Sequence, residues 1–101
     1  MKRIDYLPLG SVVTLKGSQA KYILVGRGLQ VRHPKTREIV FFDYAAVPYP
    51  QGLTGIQVMY LPHGDIGKVV YQGYSDQEDR AAADSINEFL ETHPDTVRAK
   101  G

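Results

Sequence analysis

Cysteine is absent from the 101 residues, so no disulfide can brace the fold and no thiolate can hold zinc. No uncharged apolar run approaches the roughly 20 residues that a membrane span requires. The opening residues Met1-Lys2-Arg3-Ile4-Asp5 lack the apolar stretch of a secretory signal. Internal repeats and low-complexity blocks are also missing. These absences point to a soluble, cytoplasmic protein away from the membrane. The length fits one domain, and a chain this short buries only about two-thirds of the surface its unfolded form exposes.

Charge is nearly balanced at +1 overall but uneven along the chain. Residues 1–37 hold eight Lys/Arg against Asp5 alone, whereas residues 76–101 hold seven acids against Arg80, Arg98 and Lys100. The two ends can attract one another within the fold, face different partners, or simply be solvated faces.

The first three-quarters of the chain alternate strands and turns. Residues 11–15 are β-branched and apolar, as strands prefer. Gly17-Ser18 suits a two-residue hairpin turn, and residues 21–25 read as the return strand. Gly26-Arg27-Gly28 breaks that strand by a bulge or turn, and residues 29–33 alternate like a half-buried strand. After a polar turn at residues 33–37, residues 39–44 form the most apolar strand, which places it centrally. Residues 45–55 read as a loop, with a type I turn at Tyr49-Pro50-Gln51-Gly52. Residues 57–61 and 66–71 complete the strands.

One helix follows. Ser75-Asp76-Gln77-Glu78 fits a capping box, and Pro94 stops the helix at Thr92 or His93. Ala82, Ile86, Phe89 and Leu90 make a narrow apolar stripe, with Phe89→Ala costing about 3 kcal/mol if the ring is core. The predicted architecture is a single α+β domain over residues 1–94 with a flexible tail at 95–101. Its sheet is twisted and mostly antiparallel, with five or six strands, either open or partly closed.

Chemistry-bearing motifs are sparse. No nucleophile stands beside a base in a known arrangement. His63 has Asp65 two residues on, but a third metal ligand is missing locally. Gly26-Arg27-Gly28 lacks the third glycine of a dinucleotide fingerprint. The sequence therefore predicts no enzyme, no cofactor and no metal. Basic strands carrying Lys16, Lys21, Arg27, Arg32, Lys35 and Arg37 around Tyr22 fit a small nucleic-acid-binding module, although the pI of about 8 lies below the usual range for one. Tyr44-Ala45-Ala46-Val47-Pro48-Tyr49-Pro50 reads either as a packed rigid loop or as a recognition surface built on tyrosine. The candidate protein-contact residues are Tyr44, Pro48, Tyr49, Pro50, Gln51 and Gly52.

Three ordered segments carry a family resemblance. The first is Leu7-Pro8-Leu9-Gly10-Ser11-Val12-Val13 with Leu15-Lys16-Gly17 and Val25-Gly26-Arg27. The second is Phe42-Asp43-Tyr44 with Pro48-Tyr49-Pro50-Gln51-Gly52 and Gly55. The third is His63-Gly64-Asp65-Ile66 with Val69, Gly73-Tyr74 and Asp76-Gln77-Glu78-Asp79. With this set the chain resembles the small proteins grouped as domain of unknown function 4176, found in Gram-positive bacteria near genes for LXG toxins and type VII secretion. It departs from them at Gln51, where Glu is common, and near Pro62-His63. The resemblance implies an accessory role: a chaperone or targeting factor that binds an LXG toxin or its small helical partners before export. An immunity protein that binds the toxin's catalytic domain is the alternative within that setting.

Overall fold

A computed structural model describes residues 2–55 and 57–100. Met1, Ile56 and Gly101 lie outside the described residues, and with them the first residue of the expected domain and the last of the expected tail. The elements are β1 (Val12–Leu15), β2 (Lys21–Arg32), β3 (Ile39–Pro48), β4 (Met59–Leu61), a 3-10 turn (His63–Asp65), β5 (Ile66–Tyr71) and α1 (Gln77–Thr92). The strands form one open sheet in the order β4-β3-β2-β1-β5, and every pairing between them is antiparallel. The α+β class and the C-terminal helix are those expected from the sequence.

Residues 21–25 and 29–33, read as two strands, belong to one. The register steps from Leu24↔Ala46 to Gly26↔Ala45, so Val25 is the extra residue of a bulge that keeps β2 running. Gly28 meets two demands that a side chain would fail. Its φ is +62°, and a Cβ there would lie 3.0 Å from Ile86 Cγ1 of α1. The β1–β2 turn also differs from expectation. Ser18 N–H donates to Leu15 C=O (3.1 Å), which makes Gly17 the third residue of the turn rather than the first central one.

The loop expected from residue 45 begins later, because Ala45, Ala46 and Val47 continue β3 and are buried. Residues 43–47 are buried in succession, so both sides of this strand are covered there. Small side chains suit that crowding: a Cβ on Gly26 would already lie 3.2 Å from the Cβ of Ala45. The core gathers Tyr6, Val13, Leu24, Tyr44, Ala46 and Leu61, with Ala83 and Ile86 of α1 packed against it.

The helix stops at Thr92, as Pro94 requires, but its start and its inner face differ from the sequence reading. Asp76, not Ser75, is the N-cap, its carboxylate accepting from Asp79 N–H at 2.9 Å. Ser75 Oγ instead donates to the Asp79 carboxylate at 2.8 Å. Ala82 is exposed, whereas Asn87 and Leu90 are buried and Phe89 is half-buried. Asn87 is a polar residue on the buried face because it is fully employed. Its Oδ1 accepts from Ile4 N–H (2.9 Å), and its Nδ2 donates to Ile4 C=O (2.9 Å).

The tail expected to be flexible is tied to the sheet. Phe41 N–H donates to Val97 C=O (2.7 Å), and Ala99 N–H donates to Phe41 C=O (2.9 Å). Phe41 and Arg98 thereby form a parallel bridge along the edge of β3 beyond β4. No described helix is long and apolar enough to cross a membrane.

Candidate protein-contact surface

The end of β3 presents the segment singled out from the sequence. Pro48, Tyr49, Pro50 and Gln51 are exposed, and Gly52 is half-buried. Tyr49 N–H still pairs with Lys21 C=O (2.9 Å), so the chain reverses only beyond it. The turn is closed by Gly52 N–H donating to Pro48 C=O at 2.7 Å, so it spans five residues rather than the four of the predicted type I turn. Gly52 sits at φ +74°, and the Tyr49–Pro50 peptide bond is cis. Lys21 Nζ lies 5.6 Å from the centroid of the Tyr49 ring. Tyr49 is 46% exposed and Leu53 64%, while Met59 and Tyr60 on β4 add further exposed apolar surface. The segment combines a hydrogen-bonded backbone with an exposed tyrosine ring, a residue type that supplies contact area at low entropic cost.

Tyr44 does not belong to this surface. It is fully buried, and its hydroxyl accepts from Leu7 N–H (2.9 Å) and shares a hydrogen bond with His63 Nδ1 (2.8 Å). Strand burial on both sides at residues 43–47 removes it from any partner.

Tyr44 instead joins a buried polar network that the sequence reading missed. Tyr6 Oη donates to Asp43 Oδ1 (2.7 Å), and His63 N–H donates to Asp43 Oδ2 (2.7 Å). The Arg98 guanidinium stands 3.7 Å from Asp43 Oδ1. The Tyr6 and Tyr44 rings meet edge to face at 5.7 Å. Burial, reinforced by the bond to Asp43, raises the Tyr6 phenol above its ordinary range. Burial pushes Tyr44 up to about 12 against the opposing pull of the Leu7 amide. Both phenols are therefore neutral at physiological pH, where they act as hydrogen-bonding struts. Nearby, Arg27 is held between Leu7 C=O (3.2 Å) and the Asp79 carboxylate (2.9 Å).

The carboxylate that accepts from His63 N–H is that of Asp43, twenty residues away, rather than that of Asp65, two residues on. Two open clefts flank His63. One, of about 510 Å³, is lined by Ile4, Asp43, His63, Arg98 and Lys100, and the other, of about 460 Å³, by Asp5, Leu7, Lys16, His63 and Val69. Among the described residues, no group of three His, Cys, Asp or Glu is placed to hold a metal ion. One signal in the sequence marked the network: a lone aspartate inside the most apolar strand, where a charge is tolerated only when fully hydrogen-bonded.

Fold and site together define a small α+β protein with an open antiparallel sheet, a docked C-terminal helix and a buried tyrosine–aspartate network. The chain belongs to the family described as Domain of unknown function (DUF4176), whose model matches residues 6–81. That span holds all five strands and the network residues Tyr6, Asp43, Tyr44 and His63, while Asn87 and Arg98 lie outside it. No curated protein and no solved structure matches the chain.

Proposed function

We propose that this protein is a non-enzymatic accessory factor, a chaperone or targeting protein that binds an LXG-type toxin or its small helical partners for type VII secretion. The observation that carries the reading is the hydrogen-bonded, exposed turn at residues 48–52 with its exposed Tyr49, alongside the further exposed apolar residues Leu53, Met59 and Tyr60. The toxin-secretion setting is what the resemblance to that family implies, and it supports looking for a protein partner.

The test is a binding measurement between the purified chain and an LXG toxin, divided into N-terminal and C-terminal halves. The N-terminal half is expected to bind. Tyr49→Ala with Gln51→Ala is expected to weaken that binding about tenfold or more, as for a central contact residue. Unchanged binding by this variant would move the contact elsewhere on the protein. Binding confined to the C-terminal half would replace the reading with an immunity function.

A further inference from the structure

The β2–β3 hairpin ends in a tip that the contact surface above does not use. Every residue from 32 to 39 is exposed. The tip carries Arg32, Lys35 and Arg37, with Glu38 as its only acid. Among the described residues, no carboxylate lies within ion-pair distance of these three cations, whereas Arg3, Arg27 and Arg98 each stand beside one.

The tip is built, not loose. His33 N–H donates to Glu38 C=O (2.7 Å) and Arg37 N–H to His33 C=O (2.9 Å). His33 Nδ1 accepts from the backbone N–H groups of Lys35 (3.2 Å) and Thr36 (3.3 Å). The Arg32 guanidinium donates to the backbone C=O of Arg37 at 3.0 Å, which ties the base of the turn together. Arg37 has φ +66°, the left-handed region that glycine or asparagine occupies more easily. The left-handed backbone at Arg37 is tolerated at an exposed, cationic apex, and such strain clusters at functional positions.

We propose that this tip docks an acidic segment of a partner polypeptide. Arginine forks match carboxylates in paired hydrogen bonds, and three cations on one turn match a few clustered carboxylates. Nucleic acid fits less well. A phosphate backbone needs an extended basic track, and residues 32–38 hold no Phe, Tyr or Trp for a base to stack on, while the one imidazole, His33, is tied to the Lys35 and Thr36 amides. The same hairpin packs on α1, where Gln30 and Phe41 share a cleft with Ser85 and Phe89.

The experiment uses the full chain and two labelled probes, an oligo-glutamate peptide and an oligo-thymidine strand, read by fluorescence anisotropy at low and high salt. The peptide is expected to bind more tightly than the DNA, with affinity falling as salt rises. The triple variant Arg32→Ser, Lys35→Ser, Arg37→Gly is expected to bind the peptide about tenfold more weakly, the combined effect of three exposed ion pairs. Arg37→Gly alone relieves the strained φ, so it is expected to raise the melting temperature while weakening peptide binding. That opposition separates lost contact from lost fold. Tighter binding of the DNA, binding of neither probe, or equal peptide binding by the triple variant would overturn the proposal.

Discussion

At the scale of single residues, Tyr44 joins more of the molecule than any sequence pattern indicates. Its ring is core, its oxygen anchors Leu7, and its hydroxyl meets His63. Burial raises its ionisation from 10.0 to about 12, and Tyr6 shifts in the same direction. Between those limits the unfolded phenol has lost its proton while the folded one retains it, so raising the pH favours unfolding. Stability should therefore hold through neutral pH and fall as pH climbs from about 10 towards about 12. Urea midpoints across that range check this, and Tyr44→Phe should flatten part of the slope. The same variant should cost about 1–3 kcal/mol at neutral pH, because it strands the Leu7 amide and His63 Nδ1. Tyr44 read as a contact residue because its neighbours in sequence are small and proline-rich. Its burial comes from Tyr6 and Leu7, which are distant in sequence and leave no periodic trace.

At the scale of elements, the legible parts were those decided locally. β5 runs over the predicted residues 66–71, and α1 ends at Thr92, because β-branched runs and a following proline act within a few positions. The inner face of α1 was less legible. The apolar spacing drew Ala82 and Phe89 inward, whereas Ile4 draws Asn87 into that face through a pair of backbone hydrogen bonds. Phe89 is left half-buried, stacked between Phe41 (6.4 Å) and His93 (4.1 Å). Leu90, 3% exposed, is the deeper residue. Leu90→Ala should cost about 3 kcal/mol and Phe89→Ala about 2 kcal/mol, the reverse of their usual order by size. Denaturant melts of the two variants decide the ranking, and equal or inverted losses would place the Phe89 ring in the core.

At the scale of the whole molecule, the sheet leaves two edges and treats them differently. On β5, six residues oppose four of β1, with register shifts between Val12 and Val13 and between Thr14 and Leu15. Those irregularities, together with Lys68, make the outer edge a poor template for another strand despite exposed Val69, Val70 and Tyr71. On the opposite side, β4 covers only part of β3, and residues 97–99 cover Phe41. Truncation after Pro94 should uncover that stretch, lower stability by about 1–3 kcal/mol and promote association, as read by denaturant melts and light scattering. An unchanged midpoint and a monodisperse truncated chain would show that the tail contributes nothing.

The grip of Asn87 on Ile4 joins residues 83 positions apart, with Arg27 and Tyr44 holding Leu7 close by. During synthesis, Ile4 leaves the ribosome long before Asn87 exists. The segment that crosses the core has no strand ladder of its own to settle into meanwhile. Translation must pass α1 before this domain can close, and a nascent chain halted at the last strand would carry its inner sheet face uncovered.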